Sequence, residues 1–276
     1  MLFIIYNKGM NSLLLVSQGF EILGLNISYY GLIMALAMIF GVICAVLICK
    51  VKNIDTTMPI DLALFALPCA IVGARIYYCI FNGVSSFLEI FEIWKGGLAI
   101  YGGVIGGFLG VLLCCKIKKY SLAKACDLAA PCLILGQAIG RIGCYFAGCC
   151  YGVETYNQSL QVFPISILID GHWHLATFFY EAFLNIIGFA ILMIITSKTK
   201  KPGITTSWYL IIYGLVRSVL EQFRDPAELL TIANTGLRVS QVLSFILVVV
   251  GIVLFVFSLK QKIKATEEQV EKQNSK

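Results

Sequence analysis

Seven ionisable side chains stand inside stretches otherwise apolar enough to lie in a bilayer: Asp61, Arg75, Asp127, Arg141, Glu181, Arg217 and Glu221, with Arg224 just beyond. A charge in hydrocarbon costs about 3 kcal/mol or more on insertion scales, and it is kept where it is paired or faces a water-filled cavity. Arg141 is the most exposed to this argument, because it lies near the middle of the run Asp127–Gly152. Gly140 and Gly143 flank it, with Gly136 and Gly148 one to two turns away. Glycine lets another backbone, or a ligand, come close. Arg217 and Glu221 are four apart, so they share a helix face and can pair. Leaving aside Asp61 and Asp127, the four arginines Arg75, Arg141, Arg217 and Arg224 outnumber Glu181 and Glu221, the carboxylates that share their depth. That surplus calls for an anion, and the planar guanidinium fork suits phosphate. The simpler alternative is a salt-bridge network that ties helices together.

Two other clusters carry chemistry. Trp94–Gly107 contains three Gly-Gly pairs, Gly96–Gly97, Gly102–Gly103 and Gly106–Gly107, around Tyr101. The Gly102-to-Gly106 spacing is a small-xxx-small packing pattern, and Tyr101 places a hydroxyl where the backbone is bare. Cys144, Cys149 and Cys150 form the second cluster. No histidine lies at metal-ligand spacing and vicinal cysteines bridge each other only with strain, so no metal is expected. They read as small packing residues, with Cys144–Cys149 open to oxidation; metal binding and acylation are the alternatives.

These groups must be positioned by membrane helices. The 276 residues are 59% hydrophobic and only 13% charged, against about 25% charged for soluble domains. Runs of about 20 apolar residues span the hydrocarbon. Seven qualify: Tyr29–Cys49, Ile60–Phe81, Gly97–Cys115, Leu122–Phe146, Thr177–Thr196, Thr205–Phe223 and Val239–Leu259. The expected fold is an all-α polytopic membrane protein. Lys50 and Lys52, Lys116 to Lys124, Lys198 to Lys201, and Lys260 to Lys264 follow alternate spans. The positive-inside rule therefore predicts the N-terminus outside and the C-terminus in the cytoplasm. Arg75, Arg141, Glu181, Arg217 and Glu221 then gather in the outer half of the bilayer.

The expected organisation is an interfacial segment over 1–28, with an amphipathic helix within Met1–Phe20, then a seven-span domain over 29–260. A charged cytoplasmic tail, reading as a frayed helix end, covers 261–276. The net charge of +6 comes from lysines in short loops and the tail, and no nucleic-acid partner is expected. The 11 cysteines lie mostly in apolar runs, where cysteine acts as a small hydrophobe rather than part of a disulfide framework. Val153–Ala176 is the longest connection, with His172, Trp173 and His174 suited to the headgroup level and a length suited to covering a site.

An ordered set of motifs from Tyr29 to Leu259 resembles the prolipoprotein diacylglyceryl transferases. The pieces are Y-Y-G at Tyr29–Gly31, G-A-R at Gly73–Arg75, G-G-L-A-I-Y-G-G-V-I-G-G, and D-x-x-A-P followed by G-R-I-G. They continue with F-F-Y-E at Phe178–Glu181 and Y-G-L-V-R-S-V-L-E-Q-F-R-D-P from Tyr213. The resemblance implies an enzyme of the bacterial plasma (inner) membrane. It would transfer the diacylglyceryl group of phosphatidylglycerol to a cysteine thiol in a prolipoprotein signal peptide, releasing glycerol phosphate. It implies essential arginines at Arg141 and Arg217, a partner glutamate at Glu221 and an early tyrosine at Tyr30. Arg75, Gly102, Gly103, Gly140, Gly143, Gly152, Glu181 and Arg224 are expected to line the substrate site. The chain departs from the family pattern at Tyr101, usually histidine, at Cys144, usually asparagine, and at Cys149, commonly acidic. Leu175-Ala176 stands where His-Pro is frequent.

The chemistry implied needs no cofactor. Arg141 and Arg217 supply positive charge to a departing phosphate in a low-dielectric site. The acceptor thiol must lose its proton, and Tyr101, Glu221 and the substrate phosphate all qualify as the base. A lipid or anion transporter using the same arginines, and an inactive lipid-binding relative, are the competing readings.

Overall fold

A computed structural model describes residues 19–22, 25–82, 97–199, 201–225 and 238–274. Seven helices account for most of it: α1 (Tyr29–Lys52), α2 (Thr57–Asn82), α3 (Ile100–Lys118), α4 (Leu122–Ala147), α5 (Thr177–Lys198), α6 (Ile204–Leu220) and α7 (Val239–Asn274). All but α6 are long and apolar enough to cross a membrane. Helix α6 has 17 residues and is prolonged by a short 3-10 turn, Glu221–Phe223. The helices agree closely with the apolar runs, because length and hydropathy decide what a bilayer accepts. The chain is therefore a multi-pass membrane protein.

The N-terminal expectation is corrected in part. Met1–Gln18 lie outside the described residues, but Gly19 and Phe20 belong to a strand, not a helix. Strand β1 (Gly19–Ile22) pairs antiparallel with β2 (Leu25–Ser28), matching Gly19 to Ser28 and Ile22 to Leu25. The alternation in Leu25-Asn26-Ile27-Ser28 has the period of a strand. At the other end, the backbone of the charged tail continues α7 as far as Asn274.

Bulky side chains such as Val104, Ile105, Phe108, Phe245 and Phe257 are exposed, while Cys49, Cys114, Ala125, Ala130, Ser207 and Thr205 are buried. This inversion suits lipid as solvent, since close helix approach selects small residues inside.

The chain forms two compact units. The first covers Ala45–Ala125 among the described residues, and its centre is the α2–α3 pair. There a Cβ on Gly106 would stand 2.2 Å from the Cys69 carbonyl oxygen, and one on Gly102 would stand 2.3 Å from that of Gly73. Gly110 repeats the pattern against Phe65, at 2.6 Å. Asp61 closes this unit at its lysine-rich end, accepting from Lys118 Nζ at 3.0 Å and the Tyr120 hydroxyl at 2.9 Å.

The second unit holds the described chain before Ala45 and that from Cys126 onward. Its α5, α6 and α7 pack in sequence order. Asp127 on α4 caps α6, accepting from Gly203 N at 2.6 Å, Thr206 N at 2.8 Å and Thr206 Oγ1 at 2.7 Å. An otherwise open helix N-terminus is thus satisfied from a neighbouring helix. The long connection folds into a hairpin, β3 (Ser166–Ile169) with β4 (His172–Leu175). Asp170 and Gly171 turn it with φ of 51° and 85°, the pair of left-handed residues a tight right-twisting hairpin demands.

Candidate functional site

Four elements of the second unit bring charge to one place. Helix α4 carries Arg141 in its last two turns, α5 carries Glu181 in its first, and α6 carries Arg217 in its last. The 3-10 turn adds Glu221, with Arg224 directly after it. Glu181 bridges the two helical arginines: Oε1 lies 2.8 Å from Arg141 Nη2, and Oε2 lies 3.0 Å from Arg217 Nη1. Arg217 Nη2 reaches Glu221 Oε2 at 2.9 Å, and Arg224 Nη1 approaches the same oxygen at 3.9 Å. The 2.9 Å contact is an ionic one, because Glu221 Oε2 accepts no aligned hydrogen bond. Arg238 also donates to the Glu221 carbonyl.

The i,i+4 pair expected from the sequence is therefore present, and so is the salt-bridge network offered as the simpler alternative. Among the described residues, three arginines converge on two carboxylates here. Their side chains are largely shielded, with exposures of 19% for Arg141, 11% for Arg217 and 13% for Arg224. Arg141 is the most open, and it gives only one of its terminal nitrogens to a carboxylate. Arg217 gives both, so its orientation is fixed more tightly.

The glycines beside Arg141 are occupied by α1. A Cβ on Gly143 would stand 3.1 Å from the Tyr30 ring, and one on Gly140 would stand 3.2 Å from Met34 Sδ. Gly136 and Gly41 continue the seam against Ala37 and Cys132. The room they make admits a helix, and through it Tyr30, which lies within electrostatic reach of Arg141 and of Cys144, Cys149 and Cys150.

The three cysteines converge. Their Sγ atoms all lie within 4.8 Å of one another. Cys144 is on the last turn of α4, and Cys149 N donates back to its carbonyl at 3.2 Å. Gly148 and Cys150 take left-handed backbone, φ 58° and 62°, which curls the chain after the helix. Arg141 Nη1 stands 4.0 Å from Cys144 Sγ. Hydrogen bonds from the Cys144 and Cys149 thiols, then the Arg141 and Arg224 guanidiniums, draw the Cys150 thiol well below the ordinary thiol range against the pull of burial. Thr177 Oγ1 donates to the Cys150 carbonyl at 2.8 Å, and Cys144 packs with Ala176 and Phe178.

Gly152 fixes the return of this segment. Its N–H donates to Leu175 at 2.7 Å, Val153 N donates to Phe223 at 2.9 Å, and Gly152 forms a bridge with Arg224. A Cβ there would meet the Phe223 oxygen at 2.5 Å. His174 lies against the same strand, its Nδ1 3.1 Å from the Gly152 oxygen and 3.7 Å from Asp225. Further out, Glu154 is held by the Tyr156 hydroxyl at 2.8 Å and by His172 Nδ1 at 2.6 Å.

The remaining expected residues belong to the first unit. Arg75 is buried and donates to the Gly97 carbonyl at 3.1 Å, with its guanidinium 5.5 Å from the Tyr78 ring centroid. Gly97 has φ 72° and leaves no room for a Cβ beside Arg75. Tyr101 is half-buried and tilted against Tyr77, with ring centroids 6.3 Å apart. Gly102 is filled by α2, whereas Gly103 meets Ala74 Cβ at an ordinary 3.6 Å. Trp94, Lys95 and Gly96 lie outside the described residues, as do Glu89, Glu92 and Glu228.

Several polar groups escaped the sequence reading. Gln137, one turn before Arg141, donates from Nε2 to the Tyr209 hydroxyl at 3.0 Å, while its Oε1 is buried without a hydrogen bond. Asn185, one turn after Glu181, is fully buried with neither amide atom bonded. Tyr209 stacks on Tyr213 at 5.9 Å. The available signal was spacing: Gln137 and Asn185 lie four residues from Arg141 and Glu181, and Tyr213 and Tyr209 lie four and eight residues before Arg217 on one helix face.

Comparison with known proteins bears directly on this arrangement. A family model described as prolipoprotein diacylglyceryl transferase matches residues 18–257. A Finegoldia magna protein named phosphatidylglycerol–prolipoprotein diacylglyceryl transferase is 38% identical, over 90% of this chain and 98% of its own. Relatives of the same name from Clostridium botulinum and Listeria innocua are 36% and 34% identical, over 89% and 86% of this chain and 96% and 87% of theirs.

Proposed function

From the premise that this chain belongs to the prolipoprotein diacylglyceryl transferase family, we propose that it moves a diacylglyceryl group from phosphatidylglycerol to a prolipoprotein cysteine thiol. Glycerol phosphate is the leaving group. The observation that carries the reading is the convergence of Arg141 and Arg217, from two helices, on the single carboxylate of Glu181. Guanidiniums gathered in this way at membrane depth suit a phosphate.

In this reading Arg141, the more open of the pair, takes phosphate oxygens with its uncommitted N–H groups. Arg217 is held in place by Glu181 and Glu221 and adds positive charge to the same anion. Both act on charge that grows as the carbon–oxygen bond breaks, which is where preorganised donors lower a barrier. Arg224, brought in by the Gly152 bridge, and Tyr30, seated on Gly143, border the same site. Arg75, Tyr101, Gly102 and Gly103 remain proposed substrate contacts of the first unit. The site lies at the ends of α4, α5 and α6 remote from the lysine-bearing loops, so it opens on the outer half of a bacterial inner membrane. Membership of a transferase family favours transfer over transport, and the departures at Tyr101, Cys144 and Cys149 make turnover the point to test against the inactive-relative reading.

The test is direct. Purified protein is incubated with phosphatidylglycerol and a cysteine-containing lipobox peptide, and glycerol phosphate release and peptide mass are followed. Release coupled to a diacylglyceryl mass increase is expected; lipid movement without either product would favour transport.

A further inference from the structure

We propose that Cys144, Cys149 and Cys150 form a tri-thiolate site for a soft divalent metal ion of the zinc class, with its fourth position open to the thiol that is alkylated. The part played by that thiol rests on the transferase reading above; the metal site itself does not.

Three features carry the proposal. All three sulfurs converge, not two: each Sγ is within 4.8 Å of the others. A metal–sulfur bond of about 2.3 Å sets sulfurs about 3.8 Å apart around one ion, so closure needs inward movement of about 1 Å. A disulfide would instead join one pair at about 2.05 Å and leave the third thiol out. The convergence is also built by the backbone, since Cys150 and Gly148 both adopt left-handed φ on the way out of α4. A non-glycine residue enters that region against its intrinsic preference. Finally, the donors are all thiols, a set that selects zinc-like or cuprous ions over magnesium or calcium.

Among the described residues three donors converge and no fourth joins them, which suits a reactive ion better than a structural one. Structural zinc sites close with four protein ligands, whereas catalytic sites keep one position open. Three thiolates and a divalent ion carry one net negative charge, and Arg141, 4.0 Å from Cys144 Sγ, offsets it. The ion then lies no farther than about 6 Å from the Arg141 guanidinium, given the bond length above.

A substrate thiol bound at the fourth position gives up its proton. Its sulfur forms a bond to the glyceryl carbon as the carbon–oxygen bond to phosphate breaks. The electron pair leaves on the phosphate oxygen, held by the arginines, and the proton ends on the released glycerol phosphate. The product thioether is a weak ligand and departs, and the metal stays divalent throughout.

The experiment uses the full chain in lipid nanodiscs, reduced and loaded with Zn²⁺ or Co²⁺. One ion per chain is expected by elemental analysis, with cobalt–thiolate charge-transfer bands. Both should vanish in Cys144→Ser and in Cys149→Ser/Cys150→Ser, variants that still insert and still bind phosphatidylglycerol. A cysteine lipobox peptide should shift the cobalt d–d bands and its serine analogue should not. Chelation should lower glycerol phosphate release by about 100-fold, the scale of losing proton abstraction, with recovery on adding Zn²⁺. Substoichiometric metal, metal retained by the serine variants, or full turnover of metal-free protein would each overturn the proposal. Stoichiometric metal with no glycerol phosphate under any condition would uphold the site and overturn the transferase reading.

Discussion

At the scale of single residues, the proposed phosphate clamp depends on the geometry of the guanidinium as well as on its charge. Arg141→Lys and Arg217→Lys keep the charge but lose the fork that holds two oxygens at once. Each is expected to lower glycerol phosphate release by about 10²–10³-fold, as for removal of one preorganised donor, with membrane insertion unchanged in a fractionation assay. Near-parental turnover of the double lysine variant would defeat the phosphate clamp. The pairing of Arg217 with Glu221 was legible from a spacing of four, because one helix fixes both ends. The bridge at Glu181 was not, since it joins α4 and α6 through a third helix. The convergence of the cysteines was not legible for a related reason: linear spacing carries no information about two left-handed residues that fold Cys149 and Cys150 back toward Cys144.

At the scale of elements, the α2–α3 seam supplies a matched comparison. Gly106→Ala forces a methyl against the Cys69 carbonyl at 2.2 Å, while Gly107→Ala meets Ala70 Cβ at an ordinary 3.5 Å. Overpacking of this kind costs about 1–3 kcal/mol, so thermal unfolding in detergent should separate the two variants clearly, with Gly107→Ala close to the parent. The helix spans were readable because hydropathy alone sets them; the β3–β4 hairpin was readable only in its Asp170-Gly171 turn, a signal overshadowed by the aromatic cluster next to it. That outer loop also gives a pH prediction. The Tyr156 hydroxyl and then His172 hold the Glu154 carboxyl below the usual carboxylate range. A depressed carboxyl stabilises above its unfolded pKa and stops doing so as pH falls through the folded one. Hydrogen-exchange protection over 153–175, taken relative to the intrinsic rate at each pH, should therefore be steady from neutral pH down to about 5 and fall below about 4, and Glu154→Gln should remove most of that change.

At the scale of the whole molecule, lysine placement predicts an orientation. A reporter inserted at Lys118 or fused after Lys276 is expected in the cytoplasm, and one at Asn157 outside; an external reading at Lys118 would move the arginine cluster to the wrong leaflet. Charge counting gives that expectation, whereas the rotational setting of each helix was not legible, and Asp127 shows what that omission hides. Asp127 grips Thr206, and Arg217 follows Thr206 by eleven residues, close to three turns or about 16 Å along the axis. Thr206 and Arg217 consequently share one meridian of α6. Pinned at its foot by a carboxylate from α4 and at its crown through Glu181, α6 is indexed like a shaft in a keyway. It can neither roll nor slide without breaking one of the two fastenings, so the aim of Arg217 is set in part from the far end of its own helix.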